Sequence, residues 1–317
     1  MRGIGGYFEL DQMINKPYYN NLIELNTGRN ALLYLVKARR INKVFLPYFL
    51  CNSVSDVLNR QMINYEYYHI KKDFMPVFDR ILKKNEFIYI VNFYGQITDD
   101  IVVQFKNKYG NIILDNTQSF FQKPIVGIDT IYSCRKYFGL PDGAYLSTDA
   151  DFNEKIEEDQ SASRMKHILG RFEGQASEYY SEFKKNDESF KELPVKRMSR
   201  LTRNLLGAID YQKIIESRNK NFKTLNDNFK QTNILDIKIP YGAFAYPYYV
   251  ANGIEIRKKL TEKNIYVSTL WPNVLKNNSQ ISIEFDYAAN ILPLPCDQRY
   301  GIEDMEYIIN NLKKLGE

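Results

Sequence analysis

The sequence predicts an α/β fold built on a mostly parallel sheet, and three observations predict it. Short runs rich in Val, Ile, Phe and Tyr recur between residues 41 and 148, almost continuous in apolar character, as strands buried on both faces are. Amphipathic segments separate these runs, so strands alternate with helices and the connections read as crossovers. The chain has 317 residues, enough for one large or two modest domains, each with its own core.

Taken in order, Thr27-Gly28-Arg29-Asn30 leads into the apolar helix "ALLYLVKARR", with Thr27 as its N-cap. The strand "KVFLPYF" (43–49) follows, then the helix "SVSDVLNRQM" and the strand "YEYYHI" (65–70). "FIYIVNFYG" (87–95) leads into the helix "DDIVVQFKNKYG" and the strand "NIILDN" (111–116), and "TIYSC" and "AYLST" complete the series. Residues 150–194 are charged and read as helices joined by loops, with Pro194 closing the section. From Arg197 to Phe229 a long helix, with room for a break, carries Leu201, Leu205, Ile209 and Ile214 on one side. A strand "FAYPYYV", a helix "IEIRKKLTEKN", a strand "IYVSTLW" and the segment "ILPLPC" come next. The last helix, from Ile302, has Glu303 and Asp304 in its first turn and Lys313 and Lys314 in its last, as the helix dipole prefers. The expected division is a large domain over 1–214 and a smaller C-terminal α/β domain over 215–317.

Charge and composition narrow the function. The formal charge is +5, and the basic pairs alternate with acids, so they read as solvated helix faces and argue against nucleic acid. Cys51, Cys134 and Cys296 have neither metal-ligand spacing nor a disulfide frame. No apolar signal region opens the chain and no run reaches the length of a membrane span. The expectation is a reduced, soluble, cytoplasmic protein without metal or membrane contacts.

In an open parallel sheet ligands sit beyond the carboxyl ends of the strands. One strand here ends at Asp115, with Gln118 just after; another ends at Ser133, with Lys136 beyond it. The backbone N–H groups after Thr27 form an anion cradle at a helix start. Each feature alone has an ordinary explanation: a helix cap, a turn former, a solvated lysine beside an arginine. Together on one side of one sheet they offer an anion cradle, a carboxylate and an amine. Pyridoxal phosphate requires all three: a lysine for the Schiff base, a carboxylate against the pyridinium nitrogen, and helix N–H groups and hydroxyls for the phosphate. On this reading Lys136 carries the amine, Ser133 and the N–H groups after Thr27 hold the phosphate, and Gly139 to Gly143 let the backbone pass close to the cofactor.

"NTGRNAL" (26–32), "LPYFLCNSV" (46–54), "NFYGQ" (92–96), "DNTQSF" (115–120), "SCRKYFGLPDGAYL" (133–146) and "ILPLPCDQRYGIEDMEYII" (291–309) then make the resemblance specific. In this order they are similar to the DegT/DnrJ/EryC1/StrS family of pyridoxal-phosphate-dependent, fold-type-I sugar aminotransferases. The resemblance implies that Asp115 pairs with the pyridine nitrogen, that Gln118 lies near the ring hydroxyl, that Ser133, Gly28 and Arg29 bind the phosphate and that Lys136 is the Schiff-base lysine. It also implies glutamate as amino donor, a nucleotide-linked keto sugar as acceptor, a role in surface polysaccharide synthesis, and homodimers whose sites are completed by the neighbouring chain.

The loop before Lys136 is two residues shorter than is usual in that family. Cys51 stands where many members stack a ring on the cofactor, so either Cys51, Tyr48 or Phe93 covers it. "PVKRMSRLT" resembles the stretch that reaches into the partner's site, with Val195 at the asparagine position and Arg197 and Ser199 retained. Tyr48, Phe93 and Arg197 are the candidate substrate contacts, and Arg197, Arg200 and Arg203 candidate contacts for a substrate phosphate.

His69 and His167 read as structural or surface residues. "GIGGYFEL" neither follows a strand nor opens a helix and reads as a flexible N-terminal arm. Trp271 is as consistent with core packing as with the substrate side. Two other functions remain open. Relatives that eliminate water from a sugar replace the lysine with histidine, and product analysis without an amino donor separates that case. A non-catalytic, cofactor-binding regulator is the third, excluded by turnover with any donor and acceptor.

Overall fold

Residues 86–91 and 112–115 form the middle of the sheet because they are almost wholly apolar and, Glu86 apart, every side chain in them is buried. The computed structural model describes residues 6–13 and 16–316. Its strands are β1 (Ile23–Leu25), β2 (Lys43–Pro47), β3 (Asn64–Ile70), β4 (Pro76–Val77), β5 (Glu86–Val91), β6 (Ile112–Asp115), β7 (Asp129–Ser133), β8 (Ala144–Ser147), β9 (Tyr246–Tyr249) and β10 (Ile291–Leu294). The helices up to residue 207 are α1 (Gly28–Ala38), α2 (Asn52–Arg60), α3 (Asp99–Tyr109), α4 (Lys166–Glu173), α5 (Tyr180–Ser189) and α6 (Arg200–Gly207). After them come α7 (Tyr211–Phe229), α8 (Gly253–Glu262), α9 (Pro272–Asn277), α10 (Ile283–Asn290) and α11 (Ile302–Gly316).

The large sheet runs β1-β8-β7-β6-β5-β2-β3-β4. Its five central strands, from β7 to β3, are parallel, while β1, β8 and β4 pair antiparallel with their neighbours. Val91 pairs with Asp115 and Asp115 with Ile131, so the carboxyl ends of β5, β6 and β7 lie side by side. A second sheet holds only β9 and β10, antiparallel.

The long helical stretch does break. Asp210 accepts from Lys213 N–H at 3.0 Å and starts α7 afresh. Ile215 packs with Tyr132, Cys134 and Tyr137 at the large sheet. A turn or two later Phe222, Leu225 and Phe229 pack with Tyr246, Leu292 and Met305 at the small one. One helix therefore serves both cores, and the 214/215 division falls inside it.

"IYVSTLW" is not a strand. Ile265 and Val267 are buried and Tyr266 is exposed, so the alternation is present, but no strand among the described residues pairs with it. Period-two burial shows extended backbone; it does not supply a ladder. Two helices after it, α9 and α10, carry no clear sequence signal. Ser282 caps α10, accepting from Phe285 N–H at 3.2 Å. Glu284 in its first turn is wholly buried, accepting from Ile70 N–H at 2.9 Å and bonding His69 Nδ1 at 3.1 Å. This ties α10 to β3 and gives His69 its structural role. His167 packs edge-on to Phe183, and Trp271 packs against Phe49 and Phe93. Gly3 to Gly5 of the N-terminal arm lie outside the described residues. Further along, Asp11 C=O and Met13 N–H bond to the two ends of the Asn204 amide on α6. No helix among the described residues is long and apolar enough to cross a membrane.

Candidate active site

Asp115 is the last residue of β6 and only 5% exposed. Its Oδ1 accepts from Thr117 N–H at 2.8 Å and its Oδ2 from the Tyr89 hydroxyl at 2.9 Å. Tyr89 reaches it from the adjacent strand β5 and is buried. Burial, then the Asp115 charge, pushes the Tyr89 phenol well above its ordinary value, so the hydroxyl keeps its proton and donates.

Lys136 stands just beyond β7, in a single 3₁₀ turn over residues 134–136. Its Nζ donates to Thr117 Oγ1 at 2.7 Å. Thr117 thus joins the two predicted catalytic groups, its backbone holding the carboxylate and its side chain the amine. Gly28 opens α1 at the same place: a Cβ built on it would lie 3.8 Å from Ile131 Cγ2 and 3.9 Å from Thr117 Cγ2. Thr27 caps the helix, its Oγ1 accepting from Asn30 N–H at 3.1 Å. The N–H groups of Gly28 and Arg29, and the Ser133 hydroxyl at the end of β7, take no partner among the described residues. Thr117 thus brings Lys136, Asp115 and the α1 start together, and Ser133 ends the neighbouring strand β7.

The other candidates divide. Cys51 is the N-cap residue of α2, without a side-chain cap bond, and its thiol lies 3.8 Å from Asn52 Oδ1. Gln118 is buried, its Oε1 accepting from Tyr94 N–H at 3.0 Å, where the Tyr94 φ of 54° makes a tight turn. The Arg29 side chain turns aside. It lies 3.5 Å from Asp187 Oδ2, while Arg135 lies 3.4 Å from Oδ1 of the same carboxylate. Only the Arg29 backbone faces the site.

Tyr48 and Phe93 do not cover it. Tyr48 leans over β3, stacked on Tyr67 and tilted against His69, with centroids 4.9 and 4.7 Å apart. That is the side of β2 away from β5. Phe93 is 1% exposed and packed among Phe49, Phe74 and Trp271, so it belongs to the core. Arg197 is exposed at the outer edge of the sheet, where its backbone bridges Leu25 and Glu158. It does not meet Lys136 within this chain. Arg200 pairs with Glu9, and Arg203 with Glu24 and Glu158.

No protein-family model matches the chain, and no curated protein does. Solved structures do. A DegT DnrJ EryC1 StrS aminotransferase from Brucella abortus superposes with a TM-score of 0.60 at 14% identity, over 93% of this chain and 86% of that one. NtdA from Bacillus subtilis, with the bound cofactor PMP, gives 0.63 at 13%, over 93% and 73%. DesI, in the presence of its TDP-sugar product, gives 0.64 at 12%, over 92% and 80%. The chain has the fold of these aminotransferases.

On this fold, two residues complete the site without having stood out in the sequence. Tyr89 was legible in principle, because a tyrosine inside an aliphatic strand must find a partner for its hydroxyl. Thr117 lies between two residues already singled out, and nothing in its type marks it.

Proposed function

We propose that the chain is a pyridoxal-phosphate-dependent aminotransferase of the DegT/DnrJ/EryC1/StrS type, moving an amino group from glutamate to a nucleotide-linked keto sugar. The observation that carries the proposal is the pairing of Lys136 and Asp115 through Thr117 at the start of α1. The residues present fit the cofactor. Two unpartnered N–H groups and a free hydroxyl are the donors a phosphate needs, and a buried carboxylate is the acceptor a pyridinium N–H needs. When bound, pyridoxal phosphate supplies an electrophilic carbon and an electron-accepting ring.

The chain's own residues divide the remaining work. Gly28 and Arg29 N–H with Ser133 Oγ would hold the phosphate. Asp115, kept in place by Tyr89 and Thr117, would accept from the ring nitrogen. Lys136 Nζ would hold the cofactor and, when free, would take and return a proton. Thr117 Oγ1 holds that amine in reach of both tasks.

The DesI structure, determined in the presence of its TDP-sugar product, supports a nucleotide-sugar acceptor, and a second copy of this chain would bring its exposed Arg197 segment to the site. The test is the absorbance spectrum of the purified protein with pyridoxal phosphate, before and after glutamate. The expected result is a visible band in wild type, absent in Lys136→Ala, that moves to shorter wavelength with glutamate. A Lys136→Ala protein with the same band would refute the assignment.

A further inference from the structure

Two donors converge on the carbonyl oxygen of Tyr137, the residue after Lys136: Gln298 Nε2 at 2.8 Å and Arg218 Nη2 at 3.2 Å. Neither comes from the sheet that carries Lys136. Gln298 lies in the turn between β10 and α11, and Arg218 on α7 as it passes between the two cores. Arg218 is 1% exposed. Its Nε donates to Gln298 Oε1 at 2.8 Å and its Nη1 to Ala243 C=O at 2.7 Å. Its guanidinium carbon sits 4.4 Å from the centre of the Tyr137 ring. No carboxylate among the described residues lies within ion-pairing distance, and burial lowers its pKa from the ordinary arginine value.

Asp297, beside Gln298, acts on Arg218 from beyond that distance and is itself bonded to Arg299. A buried cation without a direct ion pair is costly, and an apolar side chain of similar volume would fill the space at least as well. What an apolar side chain lacks is the planar fork, which here reads three oxygens from three segments at once. One of those segments also reaches the amine. Ala243 precedes Phe244, whose ring lies 6.0 Å from Lys136 Nζ and 6.1 Å from the Tyr137 ring. Just before it, Gly242 packs so closely on Phe121 that an added Cβ would come within 2.2 Å of that ring.

We infer that Arg218, with Gln298, is a positioning residue for Lys136: the clamp on the Tyr137 carbonyl refers the amine to the small body as well as to the strand end. Any shift of the small body relative to the sheet is then transmitted to Lys136 through a single peptide group. The inference rests on the proposed role of Lys136, and its test separates the two.

Cofactor-free wild type, Gln298→Leu, Arg218→Met and Arg218→Lys are pulsed with acetic anhydride. Acetylation of Lys136 is then compared with that of surface lysines by peptide mass spectrometry. Loss of the clamp frees Lys136 from Thr117, so labelling should rise about fivefold, the worth of one net hydrogen bond. Arg218→Lys keeps the charge but not the fork and should not restore the wild-type rate. With pyridoxal phosphate added, the pH at which the visible band changes should shift in the same variants, which a merely structural residue would not cause.

If Arg218→Met fails to fold, Gln298→Leu decides. Unchanged labelling and an unchanged band in folded Gln298→Leu would overturn the inference, as would full restoration by Arg218→Lys. A wild type that forms no band, but whose labelling responds to these substitutions, would overturn the cofactor proposal and uphold the clamp.

Discussion

Removing the Tyr89 hydroxyl tests the carboxylate half of the site without touching Lys136. Tyr89→Phe deletes one oxygen from a ring that is 3% exposed and leaves its packing intact. It takes away the donor at 2.9 Å from Asp115 Oδ2, while Thr117 N–H at 2.8 Å remains on Oδ1. A hydrogen bond to a charged group contributes about 1.5–3 kcal/mol, and here the acceptor left behind is buried. The cofactor-free variant should therefore lose roughly that much unfolding free energy. If the cofactor's ring nitrogen meets Asp115, its N–H offers the carboxylate a replacement donor. The rise in denaturation midpoint on adding pyridoxal phosphate should then be larger in Tyr89→Phe than in wild type. Urea unfolding followed by circular dichroism, with and without saturating cofactor, measures both terms. An equal cofactor-induced rise in the two proteins would show that the ring does not use Asp115. No loss in the cofactor-free state would show that the Tyr89 bond contributes nothing.

Two further outcomes follow from the same contacts. Burial raises the phenols of Tyr68, Tyr89 and Tyr94 above the ordinary value of 10.0. Above pH 10 the unfolded chain releases those protons while the folded chain keeps them, so stability falls with rising pH by about 1.4 kcal/mol per unit for each group. Urea midpoints between pH 8 and pH 11 measure this, and a flat alkaline limb would contradict it. Gly242→Ala combines a φ of 64° with the contact on Phe121. It should cost about 2–4 kcal/mol, from left-handed strain and overpacking together. A variant with the wild-type midpoint would mean that the 241–245 segment moves freely.

What could be read in advance follows from what a strand end makes visible. Asp115 and Lys136 stand where continuous apolar runs stop, so both position and chemistry are legible in one dimension. The parallel centre of the sheet is legible for the same reason: "FIYIV" and "IILD" tolerate no wet face. Tyr48 and Phe93 show the limit. Both are aromatic and follow strands, but which way each leans depends on the order β5-β2-β3, which only the folded sheet supplies. Arg218 was half visible, a charge at helical spacing between Ile214 and Phe222 in an otherwise apolar stripe. Its partners at Tyr137, Ala243 and Gln298 were not, because each is a backbone or amide oxygen far away in sequence. The edge strands β1 and β4 are too short to carry a periodic signal.

Asp142, in the loop beyond Lys136, is wholly buried and accepts from Ser199 N–H at 2.9 Å, from Ser199 Oγ at 2.8 Å and from Thr202 Oγ1. Ser199 is itself the cap of α6, accepting from Thr202 N–H at 3.1 Å. With eight residues, α6 is too short to persist alone in water. Its first turn is secured by a carboxylate 57 positions earlier in the chain. The start of α6 therefore depends on the β7–β8 turn, which holds the acceptor for the N–H of its cap residue. When that turn opens, α6 loses its mooring with it.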